Sequence, residues 1–192
     1  MKEKTRNKIL DVVLQLCREY GFWSVRVEDI VKYSHISRAT FYNYFKSKED
    51  VLFAVLEKET KKVVFRIEKA LKEEPNPYKK LRIYLKLEIA GTREAFQALN
   101  IHFSEITILP AIPKENIEKK NKNDIKIVKD ILFDGVNKGF FVLEDLDVTA
   151  QIVVGMKMEI WRSAMMENKE SETVEKEIDI LLNILFFGFS KK

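Results

Sequence analysis

The run Ser37-Arg38-Ala39-Thr40-Phe41-Tyr42-Asn43-Tyr44-Phe45 carries the densest chemistry in the sequence. At helical spacing, Phe41 and Phe45 fall four apart on one face and can pack inward with Ile30 and Ile36. The other face keeps Arg38, Thr40, Tyr42, Asn43 and Tyr44. A guanidinium pairs bidentately with guanine, a carboxamide with adenine, and hydroxyls with phosphate, so this face holds the donors that reading a DNA duplex requires. Catalysis has little to work with: two His, one Cys, no Gly-x-Ser-x-Gly, no His-Glu-x-x-His and no Gly-rich phosphate loop. No cofactor or metal site is expected, and an enzyme is the competing class that this inventory disfavours. A helical DNA-binding protein without any small-molecule effector is the third reading.

Charge distribution points the same way as the donor set. The whole chain carries only +4, too mild to argue for nucleic acid by itself. Up to Lys48, however, there are ten basic residues against five acids, a local excess of +5 in the first quarter of the sequence.

The elements that must position this face are helices. Glycine and proline total ten in 192 residues, and these are the residues that break helices most readily. In residues 5–20, Ile9, Val13, Leu16, Cys17 and Tyr20 recur at helical spacing, and Gly21 suits a helix end. Two short patterns follow, 27–33 and 37–45, joined by Ser34-His35-Ile36, about the length of a helix-turn-helix connection. Ser37 is a suitable N-cap, and Ser47 with Asp50 forms a variant capping box that starts a long helix through about Leu71. Further helices are expected at 78–90, 92–109, a segment ending near Gly139, 147–168 and 171–190, with a polar surface loop from Pro110 to about Asn123. The expected fold is all-α, about nine helices, with a helix-turn-helix DNA-binding domain over 1–48 and a helical regulatory and dimerisation domain over 49–192.

With Gly21-Phe22 after the first helix, Asp29-Ile30 in the second, the run from Ser37 to Phe45, and Ser47-Lys48-Glu49 opening the fourth, residues 5–56 resemble the TetR family of regulators. The resemblance implies that the first turn of the third helix faces bases while Tyr42, Tyr44 and Lys48 grip phosphates. The DNA-binding set is then Arg26, Ser37, Arg38, Ala39, Thr40, Tyr42, Asn43, Tyr44 and Lys48. Three positions depart from the family's habit: His35 stands where Gly is usual, Arg26 where Thr commonly caps, and Tyr44 where His is frequent. Arg26 gives up a side-chain cap and gains reach toward a phosphate.

Beyond residue 56 the likeness is architectural, and in this family the last two helices form the dimer interface. Here the final helix is apolar nearly all round. Val174, Ile178, Leu181, Leu182, Leu185 and Phe189 make one stripe, with Ile180, Ile184 and Phe187 beside it, so it must be buried on two sides. The expected dimer contacts are Gly155, Ile178, Leu182, Leu185 and Phe186. A pocket for an apolar or amphipathic effector is expected around Phe96, His102, Phe103, Glu105, Met158 and Trp161, aromatic and Met surface with sparse polar groups. Cys17 is read as a buried, inert thiol. The N-terminus lacks the apolar core of a signal peptide and the longest greasy stretch is too short to span a bilayer. The expected protein is a cytoplasmic homodimer that partners double-stranded operator DNA and no membrane, a repressor released by a small-molecule effector.

Overall fold

A computed structural model describes residues 2–101 and 114–188, and among them it contains eight helices and no strand. In chain order these are α1 (Lys2–Tyr20), α2 (Val27–Ser34), α3 (Arg38–Tyr42), α4 (Lys48–Glu73), α5 (Pro77–Ala98), α6 (Lys114–Asn137), α7 (Leu146–Met166) and α8 (Ser171–Phe187). The described chain separates into two compact units, the boundaries falling within α4 after Lys62 and within α5 after Gly91. The first takes the chain up to Lys62 and again from Thr92; the second takes Val63–Gly91 and the helices α6 to α8.

The core of the first unit is built from Ile9, Leu10, Val13, Cys17, Phe22, Ile30, Phe41, Val51, Leu52 and Val55, all nearly inaccessible to solvent. The stripe of α1 is inward as its spacing predicts except at Tyr20, which is half exposed. Gly21 takes φ +76 and its N–H donates to the Cys17 carbonyl, the left-handed residue that stops α1 at little steric cost. Cys17 is buried, and burial pushes its thiol up to about 11 although the Lys48 charge pulls the other way.

The second unit packs Ile67, Leu81, Tyr84, Leu85, Val128, Leu132, Ala150, Val153, Ile178 and Leu182 into one cluster. The helix break expected at Gly91 does not occur: α5 runs through it to Ala98. Gly91 is there for closeness, since a Cβ would stand 2.4 and 2.6 Å from the two Val63 methyl carbons. Two residues past the end of α5, Asn100 takes φ +50, with the Ile101 N–H on the Phe96 carbonyl and the Asn100 N–H on the Gln97 carbonyl. The rest of the helix expected to Leu109 lies outside the described residues. The loop expected to reach Asn123 is also corrected, because α6 already begins at Lys114. Its first turns are rich in Glu and Lys, good helix formers whatever their polarity.

Four charges are buried or half-buried together in this unit. Lys157 on α7 and Asp124 on α6 form a close ion pair, with Glu88 of α5 3.7 Å from the same ammonium. Lys120 of α6 pairs with Glu88 and lies 3.4 Å from Asp124. Two cations and two carboxylates thus alternate, and the set carries no net charge. Tyr84 is packed beside it, its ring 5.8 Å from the Lys157 ammonium and its hydroxyl without a well-formed hydrogen bond. Burial, then the neighbouring Asp124 and Glu88 charges, push that hydroxyl far above the usual tyrosine range. No described helix is long and apolar enough to cross a membrane.

Candidate nucleic-acid interface

Capping chemistry places the recognition segment. At the start of α2 the Asp29 carboxylate accepts from the Arg26 N–H at 2.9 Å, one half of a capping box. Arg26 has no acceptor to supply the other half, so its exposed guanidinium is left to solvent. The turn after α2 closes with the His35 N–H on the Lys32 carbonyl and the Ile36 N–H on the Val31 carbonyl, each at 3.2 Å. That pattern needs a left-handed residue, and His35 supplies it at φ 51, ψ 49. Ser37 then caps α3 by accepting from the Thr40 N–H at 3.0 Å, and the two hydroxyls are 2.8 Å apart.

The regular part of α3 is only five residues, shorter than the nine expected, yet the Phe45 N–H still donates to the Phe41 carbonyl. The two faces divide as the sequence predicts. Phe41 and Phe45 are buried with ring centroids 5.9 Å apart, while Ser37, Arg38, Ala39, Tyr42 and Asn43 are exposed and Thr40 and Tyr44 half-exposed. Arg38 pairs with Glu28 at 3.1 Å, but both side chains are more than half exposed, so the pair is weak and easily opened.

Lys48 departs from expectation. Its ammonium donates to the carbonyls of Phe22 at 2.9 Å, Val25 at 3.0 Å and Trp23 at 3.3 Å. It also sits 4.3 Å from the Phe22 ring centroid and 5.8 Å from that of Trp23. Desolvation lowers its pKa, opposed by the charges of Glu49 and Cys17. The ammonium expected to grip a phosphate thus donates to three carbonyls of its own chain. Only the pairing of a turn with a residue 23 to 26 positions away reveals this, and spacing alone gives no sign of it.

Four of the residues expected at a dimer contact face the chain's own core. Ile178 and Leu182 are buried in the chain's own core, Leu185 packs against it, and Phe186 stacks on Phe141 at 4.5 Å and lies 5.2 Å from Tyr78. Those residues are engaged within the chain. The second stripe is the outward one: Ile180 and Phe187 on α8, with Val148, Ile152 and Met156 on α7, stand exposed, and Gly155 among them meets nothing within 4 Å of a would-be Cβ. The two-sided character of the last helix is legible in its sequence, but the stripe expected at the interface is the one that turns inward.

Of the expected pocket residues, His102, Phe103 and Glu105 lie outside the described residues. Phe96 is buried in the first unit, Trp161 is packed against the core of the second, and Met158 is 46% exposed, so it does not line that core.

Residues 9–55 match the model of the bacterial regulatory proteins of the tetR family. Over those residues the chain is similar to that family of regulatory proteins. It is 24% identical to the fatty acid metabolism regulator protein of Bacillus subtilis over the whole length of both chains. It is 27% identical to the HTH-type transcriptional repressor KstR2 of Mycolicibacterium smegmatis over 74% of this chain and 70% of that one. Among solved structures, the regulator FadR of Bacillus subtilis in complex with stearoyl-CoA superposes with a TM-score of 0.68 at 22% identity, covering 95% of this chain and 98% of that one. At that identity the likeness establishes the tetR-family fold.

Proposed function

We propose that this chain is a cytoplasmic repressor that binds a pseudo-palindromic operator as a homodimer and releases it on binding a small molecule. The observation that carries the reading is the exposed polar face of α3, anchored from behind by Phe41 and Phe45, within the segment matched by the family. Residues 1–48 act as the DNA-binding domain and 49–192 as the regulatory and dimerisation domain. Arg38, Thr40 and Asn43 read bases with Ala39, while Arg26, Ser37, Tyr42 and Tyr44 meet the backbone. Two copies related by a two-fold axis place their α3 helices about one helical turn of DNA apart, ~34 Å, or a multiple of it.

The exposed stripes Val148–Ile152–Met156 and Ile180–Phe187 supply the dimer contact, since a second copy is the simplest cover for apolar surface on the helices the family uses. Ile152→Glu or Ile180→Glu then yields monomers by sedimentation with helix content unchanged. The effector is an amphipathic molecule of the long-chain acyl-CoA class, a reading supported by the stearoyl-CoA in the Bacillus subtilis relative. A ligand releases DNA only if it favours the non-binding arrangement of the dimer, because equal affinity for both shifts nothing.

Selection of duplexes from a random pool tests the function directly. Arg38→Ala relaxes preference at one position per half-site, costing about 1–3 kcal/mol for each bidentate base pairing removed. Stearoyl-CoA added to a Trp23→Phe variant perturbs Trp161 emission and weakens the selected duplex over one concentration range. Selection that enriches no sequence refutes the DNA reading; emission changes without loss of affinity refute the coupling.

A further inference from the structure

We infer that Lys48 is a positioning residue of the DNA-reading unit, a staple between the first turn of α4 and the Phe22–Val25 turn, and that it influences DNA through this geometry without touching phosphate. The inference concerns how the proposed DNA face is held and rests on that reading only for its DNA arm. An ammonium has three N–H groups, and three carbonyls converge on this one, from Phe22, Trp23 and Val25. The rings of Phe22 and Trp23 lie 4.3 and 5.8 Å away, adding attraction between the cation and their π-electron density.

The turn it holds leads directly into α2. Val25 is buried, Arg26 is the cap residue of α2, and Ile30 one turn later is fully buried in the core that also takes Phe41. Helix α4 starts in turn with Ser47 Oγ accepting from the Asp50 N–H at 3.2 Å and Asp50 accepting from the Lys46 N–H at 2.8 Å. The residues just before α4 are therefore fixed by caps, and the residues just before α2 by Lys48. Between these two anchors lies the whole helix-turn-helix. To neutralise a phosphate, the ammonium would have to give up the carbonyls of Phe22, Trp23 and Val25.

The two roles separate by salt. A lysine that neutralises one phosphate contributes about 0.9 to the slope of log affinity against log salt, whereas a staple lowers affinity by the same factor at every salt concentration. The test uses the full chain, with a duplex selected from a random pool by the wild type, and the variants Lys48→Met and Lys48→Arg. Methionine keeps the stem and removes the donors. Arginine keeps the charge, but its planar fork does not place three N–H groups on converging carbonyls. For a staple, both variants lose affinity about tenfold or more, with the salt slope unchanged and the thermal transition lowered. Wild-type affinity for Lys48→Arg, together with a slope reduced by about one in Lys48→Met, overturns it.

A DNA-free arm keeps the inference testable if no duplex is selected or a variant binds none. In a Trp161→Phe background Trp23 is the remaining tryptophan, and loss of the ammonium at its carbonyl and ring shifts its emission without any DNA. An unchanged Trp23 spectrum in Lys48→Met overturns the staple, while failed selection with a shifted spectrum sinks the DNA reading alone. If Lys48→Met does not fold, Lys48→Arg decides by the same emission measurement.

Discussion

In the first unit a partly buried lysine, Lys48, is satisfied by neutral carbonyls and aromatic rings. In the second, Lys157 is satisfied by carboxylates, Asp124 and Glu88, with Lys120 completing the set. The two solutions fail differently. Removing Lys48 strands dipoles that water can partly solvate; removing Lys157 strands a carboxylate whose side chain is only 6% exposed, and an unpaired buried ion is far costlier than a pair. The caps of the first unit join residues three or four apart, as at Arg26–Asp29, Ser37–Thr40 and Ser47–Asp50. The polar ties of the second span 97 residues at Arg82–Asp179, 54 at Lys80–Asp134 and 33 at Lys157–Asp124.

The largest expected effect is therefore in the second unit. Lys157→Met should cost about 3–5 kcal/mol in chemical denaturation, and adding Asp124→Leu should recover part of it, because a removed pair is better tolerated than a broken one. A single variant as stable as wild type, or a double variant worse than the single, would break the contrast. Next is Gly91→Ala, in which a better helix former should still destabilise by about 1–3 kcal/mol, because its methyl must displace Val63. A rise in melting temperature would show that α4 and α5 can part there at no cost.

Ser37→Ala probes the local caps of the first unit and should cost about 1 kcal/mol, with loss of helical signal confined to α3 by amide exchange. His35→Gly acts in the opposite sense. Relief of the left-handed conformation should stabilise by up to about 1 kcal/mol, less the entropy that glycine adds to the unfolded chain. Comparing the two by calorimetry shows whether local terms of this size add.

The smallest effect is a pH limb. Hydrogen bonding to Arg82 holds Asp179 below the ordinary carboxylate value of 3.8, with burial opposing and the Arg82 and Lys86 charges assisting. A depressed acid contributes stability that is full above its unfolded value and drains as pH falls through its folded one. The pair is partly exposed, so solvent screening keeps the contribution small. Asp179→Asn should lower stability slightly at neutral pH and flatten its decline below about pH 4; an identical acid limb would show that the pair contributes nothing.

Local chemistry by itself determined most of the DNA-reading unit. Gly21, Ser37 and Ser47 announce helix ends through conformations and hydrogen bonds that close within five residues, and Phe41 and Phe45 announce an inward face because helical geometry fixes which residues share a side. Tertiary structure alone decided the rest. Gly91 looks like a helix break until Val63 lies against it, and the two stripes of α8 are equally apolar until Phe141 and Tyr78 stack on Phe186. Lys48 looks like any surface cation until the Phe22–Val25 turn folds over it. In each case the deciding atom comes from a residue more than twenty positions away, and periodicity, which records only what one element offers, carries no information about which partner accepts it.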